Sequence, residues 1–394
     1  MTRPLEYALT STLAAASTAA PAPDAGFLAG VRWRRRRRQR RTAILTACAV
    51  AVAVIATVTV VEQLKPVPVQ RFGHLLTPDR IPNFLDLAPP DRVWPDAVHR
   101  LPATLPDGSD YSVVDVLGGG RFLVTGVQPI DERSGPSVFQ PATGTVTALA
   151  PPAVTEGLVE AQLLMARGAG DRVVWLLDAR RSGGAARELW SAPVAGGAVT
   201  KLATLGLGSG KFAVAGDAVL WEEDRGEGRD GVVIRRVFAA GGPVTDVPGS
   251  TGYRLADLGP WLTSTSDTDG QENGGDLLNA VTGERMRWKA NAKIGTSVCG
   301  PTWCGGTGPN GVAALQDRGG GGYVELKDAG ALYPAAGGRL AVGLLASQPV
   351  VWDRTTGRAT LITNFVGQDR GEPAVRVWRG ANNSIMVLEL KAIT

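Results

Sequence analysis

GDRVVWLLDARRSGGAARELWSAPVAGGAVTKLA, residues 170–203, holds the pattern that decides the fold. A Gly turn opens it, and the apolar run Val173–Leu177 follows at strand length. A charged stretch, DARRSGGAAR (Asp178–Arg187), separates that run from ELWSAPVAGGAVTKLA (Glu188–Ala203). The latter alternates apolar and polar residues about a Gly-Gly turn, as hairpins do.

Both halves recur along the chain. The first returns as GGGRFLVTG (Gly118–Gly126), GDAVLWE (Gly216–Glu222), GPWLTST (Gly259–Thr265), GPTWCGG (Gly300–Gly306), GGRLAVGL (Gly337–Leu344) and, degenerate, ANNSIMVLEL (Ala381–Leu390). The second returns at matching phase as SVFQPATGTVTALA (Ser137–Ala150), VIRRVFAAGGPVTDVP (Val233–Pro248), DLLNAVTGERMRWK (Asp276–Lys289), VAALQDRGGGGYVELK (Val312–Lys327) and PVVWDRTTGRATLI (Pro349–Ile362). The strand starts near 121, 172, 218, 260, 302, 339 and 384 are spaced by about 37 to 51 residues. A further strand precedes each Gly turn, YSVVDVL (Tyr111–Leu117) being the clearest, so a full unit has four strands. Four-stranded units at this period are the mark of a β-propeller. An all-β, seven-bladed β-propeller is therefore expected over residues 83–394, within a range of six to eight blades. A tandem of β-sandwiches would leave the single period unexplained.

Six units are complete. The seventh has AVRVW (Ala374–Trp378) and SIMVLEL (Ser384–Leu390), and lacks its outer strands. NFLDLA (Asn83–Ala88) and AVHRLPA (Ala97–Ala103) are the candidates to supply them, which would mate the two open edges of the ring. Trp175, Trp221, Trp261 and Trp303 fall at or near corresponding second-strand positions. Packing between blades accounts for them, and an aromatic sugar platform is the alternative.

The basicity of the chain is local. The whole carries 41 Lys and Arg, 37 Asp and Glu, and a net charge of +4. Residues 1–41 contain nine Arg against Glu6 and Asp24, a net of +7, so the remaining residues sum to −3. A nucleic-acid partner for the main domain is thus not expected. Composition also excludes a collagen, a coiled coil, a disulfide-dense miniprotein and a multi-span membrane protein.

Thr42–Val61, TAILTACAVAVAVIATVTVV, is twenty residues without a charge, enough helix to cross a bilayer. Eight Arg in Arg32–Arg41 abut its N-terminal end. By the positive-inside rule residues 1–41 form a cytoplasmic tail, 42–61 a transmembrane helix, 62–82 a linker, and the rest is extracytoplasmic. The run is long for a signal peptide, and no small-x-small site closes it before Glu62. Cys48 in LTAC lacks the placement of a lipidated Cys, and Arg40-Arg41 is followed by a weak match to a twin-arginine signal. The partners implied are membrane lipid through the helix and the Arg block, and an envelope protein or ligand on the propeller face. Leu5, Leu9 and Leu13 at helical spacing allow a cytoplasmic protein on residues 1–31.

Chemistry-bearing residues are few. Cys299 and Cys304, in SVCGPTWC, flank a Gly-Pro turn, and an oxidising exterior predicts a disulfide across it. His74 and His99 precede the first full blade, and no Ser-His-Asp set or HExxH motif is present. No catalytic or cofactor-binding residues are assigned. Between second and third strands, units one to four carry charged stretches read as loops. They supply the candidate binding-face residues Asp131, Glu132, Arg133, Arg180, Arg181, Glu222, Glu223, Asp224, Arg225, Asp267, Asp269 and Glu272. Asp267, Asp269 and Glu272 in SDTDGQENGGD also offer a candidate Ca²⁺ site.

The layout of leader, Arg block, single apolar span and Gly-turn repeat resembles the membrane-anchored, TolB-like or WD40-like β-propellers of actinobacterial type. The Trp-Asp pair of true WD repeats occurs once, at Trp352-Asp353. The resemblance implies an extracytoplasmic binding or scaffolding module and supplies no active site. A transmembrane sensor whose tail binds a partner such as a sigma factor is the second reading. An envelope glycan hydrolase or lyase, needing a carboxylate pair in the central channel, is the third.

Overall fold

The computed structural model describes residues 81–126, 135–149, 160–181, 184–206, 209–226, 231–256, 259–264, 274–295, 298–309, 311–327, 329–366 and 374–393. The expected transmembrane helix, its flanks and His74 lie outside them. Among the described residues no helix is long and apolar enough to cross a membrane.

Seven antiparallel sheets follow one another along the chain. Blade 1 is built, from first strand to last, of Tyr111–Gly118, Arg121–Gly126, Ser137–Gln140 and Thr145–Ala148. Blade 2 is Glu160–Ala169, Arg172–Arg181, Gly184–Pro193 and Thr200–Leu205. Blade 3 is Phe212–Ala215, Ala218–Asp224, Val232–Phe238 and Thr245–Asp246, and blade 4 is Tyr253–Leu255, Trp261–Ser264, Gly274–Asn279 and Arg285–Lys289. Blade 5 is Val298–Cys299, Trp303–Thr307, Ala313–Asp317 and Val324–Leu326, and blade 6 is Leu332–Ala335, Leu340–Leu345, Gln348–Asp353 and Ala359–Leu361. Blade 7 has Val375–Arg379 and Ile385–Glu389, and its third strand is Val98–Leu101 from the N-terminal side. The seven-bladed propeller expected from the repeat is the fold observed.

Second strands are apolar on both faces because both faces are covered by neighbouring blades. Val173, Val174, Trp175 and Leu176 are all fully buried, and Val219, Leu220 and Trp221 repeat the pattern. Outermost strands shed that requirement: Thr145–Ala148 is mostly exposed and Thr245–Asp246 fully so. The core is correspondingly divided into seven apolar clusters, each between two neighbouring blades. One of them joins Val375, Val377, Ile385 and Val387 of blade 7 to Tyr111, Val113 and Phe122 of blade 1, closing the ring. Trp175, Trp221, Trp261 and Trp303 each lie in one of these clusters. Their burial assigns them to packing and excludes a sugar platform.

Closure uses half of what the sequence offers. Val98–Leu101 pairs with Ile385–Glu389 in the register Val98↔Leu388 through Leu101↔Ile385. Asn83–Ala88 forms no strand, contrary to expectation, and blade 7 has three strands among the described residues. Pro82, Pro89 and Pro90 bracket this segment, and proline cannot donate to a ladder. The segment instead packs across blade 6. Phe84 meets Trp352 edge-on with ring centroids 6.0 Å apart, and Thr360 Oγ1 donates to the Ala88 carbonyl at 2.8 Å. A single helical turn, Pro90–Val93, and buried Trp94 then carry the chain to blade 7.

Blade 5 is pinned at its first turn. Cys299 and Cys304 face each other across the first two strands and form the expected disulfide, with both residues buried.

Candidate functional site

The first strands of the blades wall a cavity of about 390 Å³, the central channel of the ring. Six of the seven blades contribute, through residues such as Asp115, Arg167, Lys211, Leu255, Gly337 and Lys391. Glycine-rich turns shape it. At Gly170, Gly216, Gly259 and Gly337 the backbone has positive φ, which only Gly adopts freely, and a Cβ there would meet nothing within 4 Å. The channel wall at these turns carries no side chain.

Asp115 is the one carboxylate among the described lining residues. It is buried, and both its oxygens are engaged by backbone donors: Val116 N–H at 2.8 Å and, across the blade boundary, Gly168 N–H at 2.8 Å. Lys391 Nζ lies 4.0 Å from Asp115 Oδ1. Lys211 Nζ donates to the Leu255 carbonyl at 3.0 Å, joining blade 3 to blade 4. Arg167 Nη1 donates to the Ala166 carbonyl at 2.9 Å. Asp115 thus works as a staple between the inner strands of blades 1 and 2.

In units two and three the strands run into the charged stretches that the sequence suggested were loops. In blade 2 the second and third strands pair continuously to Arg181↔Gly184, leaving two residues for the turn. Arg180 and Arg181 therefore belong to a long hairpin, with Arg180 exposed. Glu222, Glu223 and Asp224 end the second strand of blade 3, paired with Ile234, Val233 and Val232. Their charges serve cohesion. Glu222 accepts from Leu255 N–H at 2.8 Å and from Arg254 Nη1 at 3.0 Å, bridging blade 3 to blade 4. Arg225 grips Asp246 with two bonds of 2.9 Å, and Arg235 reaches Glu223 at 3.2 Å and Asp246 at 3.3 Å. Asp224 Oδ1 accepts from Gly226 N–H at 3.2 Å.

Asp131, Glu132, Arg133, Asp267, Asp269 and Glu272 lie outside the described residues. Among the described residues no group of three His, Cys, Asp or Glu side chains is placed to hold a metal ion. His99 sits on the closing strand, its Nε2 3.2 Å from Glu389 Oε2 and its ring edge-on to Phe122 at 5.3 Å. Both contacts bind the N-terminal strand to its neighbours. What the sequence missed is the channel set, since Asp115, Arg167, Lys211 and Lys391 meet only after the ring closes.

No family model matches the chain, and no curated protein matches it. Among solved structures it is similar to TolB from Acinetobacter baumannii, at 14% identity and TM-score 0.32, covering 70% of this chain and 63% of that one. It is similar to BamB from Moraxella catarrhalis at 14% identity and TM-score 0.35, covering 72% and 84%. The β-propeller domain of the Trilobed protease from Pyrococcus furiosus gives 10% identity and TM-score 0.39, covering 55% and 78%. The assignment of seven blades rests on the sheet topology described above.

Proposed function

We propose that the chain is a single-pass membrane protein that presents its propeller outside the cell as a binding or scaffolding module. The observation that carries the binding reading is the open channel, walled by six blades and lined largely by backbone and small side chains. Its size falls in the range of ligand sites in general. Its one described carboxylate is held by two backbone N–H groups, an arrangement suited to structure. The apolar run at 42–61 and the eight Arg before it support the anchor and its orientation.

The test is recovery of partners. Full-length protein is solubilised from its own membranes after cross-linking, beside a form lacking residues 1–31 that keeps the Arg block. Envelope components that survive the deletion support a module whose function lies on the propeller. A cytoplasmic partner lost with the deletion supports the sensor reading instead, which the helical spacing of Leu5, Leu9 and Leu13 favours. Recovery of no partner from either form would defeat the binding reading.

A further inference from the structure

We infer that the rim between blades 5 and 6 holds a small oxyanion, of phosphate size, on the guanidinium of Arg354. The site lies apart from the channel and goes beyond the binding reading above.

Arg354 follows the third strand of blade 6 and is buried. Its guanidinium carbon lies 4.3 Å from the ring centroid of Trp303, the first residue of the second strand of blade 5. Trp303 is itself fully buried, is the register partner of Asp317, and donates through Nε1 to the Gly338 carbonyl of blade 6. Arg318 N–H donates to the Thr302 carbonyl at 3.2 Å, and Arg354 N–H donates to the Arg339 carbonyl at 3.3 Å. Ring and backbone thus fix the guanidinium at the boundary of the two blades.

The indole meets the flat face of the cation and leaves its N–H groups to find acceptors elsewhere. Nε and Nη2 of Arg354 are buried and have no acceptor among the described residues. These two nitrogens form the edge of the guanidinium that points away from Cδ, with parallel N–H bonds. That edge is the fork which takes two oxygens of one oxyanion.

Other buried charges of the molecule are matched. Asp353, adjacent in the chain, accepts from Arg339, Thr355 and Thr356. Glu188 accepts from Lys201 Nζ at 2.7 Å and Trp190 Nε1 at 3.2 Å. At Arg354, burial pulls the guanidinium down to about 10, and the Asp317 charge opposes this only in part. Arg318 leaves a further buried nitrogen, Nη1, without an acceptor among the described residues, and burial lowers its pKa as well. The rim is therefore rich in donors and short of acceptors. An oxyanion brings acceptors and negative charge together.

Enclosure sets the size of the ligand. Arg354 is only 3% exposed, which leaves no room for a lipid headgroup, a nucleotide or a peptide. Gly319–Gly322, the four glycines that follow Asp317 and Arg318, give the neighbouring turn a backbone able to yield as a small ion enters.

The probe is inorganic phosphate, added to the full-length chain in non-ionic detergent and compared with chloride at equal ionic strength. Phosphate is expected to raise the melting temperature saturably, by about 5 °C at about 100 times its dissociation constant. Equilibrium dialysis against radiolabelled phosphate is expected to find a single ion on the chain. Arg354→Met keeps an apolar contact for Trp303 and removes the fork. It is expected to be at least as stable as the parent in chloride and unresponsive to phosphate. Arg354→Lys keeps the charge without the fork, and is expected to bind phosphate at least about tenfold more weakly.

An equal phosphate response in the parent and in Arg354→Met would overturn the site. So would a parent that binds no phosphate, since water alone would then meet the two N–H groups. Should Arg354→Met fail to fold, Arg354→Lys decides, and undiminished binding by it would remove the fork as the holding group.

Discussion

Glu222 and Asp353 show how single carboxylates hold neighbouring strands. Glu222 accepts from a backbone N–H and a guanidinium on the next blade, so its removal strands a donor at the interface of blades 3 and 4. Glu222→Ala is expected to lower the unfolding free energy by about 1–3 kcal/mol, read from the denaturant midpoint. An unchanged midpoint would show that the bridge contributes nothing. Asp353, fully buried, ends the third strand of blade 6 and organises the turn after it. It accepts from Arg339 Nη2 at 2.7 Å, Thr355 N–H at 2.9 Å and Thr356 Oγ1 at 2.9 Å. Burial alone would raise its pKa, but these donors outweigh burial and hold it below the ordinary 3.8. A carboxylate depressed in the folded state stabilises above its unfolded pKa, and that stabilisation is lost as pH falls through the folded value. The denaturant midpoint should therefore have no contribution to lose from Asp353 between neutrality and about pH 4, and should fall below it. Asp353→Asn should be less stable than the parent at neutral pH and should shed part of the acid-induced loss. Parallel acid profiles for the two proteins would refute this role. The residue was legible only in part: Trp352-Asp353 was visible as an isolated pair, while Arg339 arrives from the turn before the second strand of the blade.

At the scale of elements, closure by Val98–Leu101 is the step on which the ring depends. Arg100 and Met386 are register partners across the closing seam. Arg100→Cys combined with Met386→Cys should cross-link on oxidation, visible as a mobility shift on a non-reducing gel, and either change alone should not. Failure of the pair to link would mean that the ring is closed elsewhere. The native disulfide of blade 5 gives a second check. It spans a sequence separation of five, so the chain-entropy relation gives it about 2 kcal/mol. Replacing Cys299 and Cys304 together by Ala should lower stability by about that amount, and three free thiols in the unreduced, denatured parent would exclude the bond. The second strands and the outer hairpins were readable because a strand covered on both faces is a plain apolar run, and a Gly turn marks its start. The sequence misled where two physical signals compete. Asn83–Ala88 has strand-like composition, yet its flanking prolines and the fit of Phe84 against Trp352 place it across blade 6. The stretch around Glu222–Arg225 has loop-like charge, yet those charges pair across strands.

For the whole molecule, the distribution of charge and apolarity along the chain makes a claim that the propeller itself does not. Nine Arg precede an uncharged run of twenty residues, and the acidic excess follows it. If that run crosses the membrane, the two parts of the chain meet different solvents, and reagents that do not cross a bilayer distinguish them. In a Cys48→Ala background the only other cysteines are joined in the disulfide. Ser17→Cys then places a single thiol in the N-terminal tail, and Ala142→Cys places one at an exposed position on a turn of blade 1. A membrane-impermeant maleimide applied to intact cells should label the Ala142→Cys protein at once, and the Ser17→Cys protein only after permeabilisation. The reverse pattern would invert the orientation drawn from the Arg block. Labelling of both without permeabilisation would place tail and propeller on the same side, and the channel would then meet partners of that compartment alone.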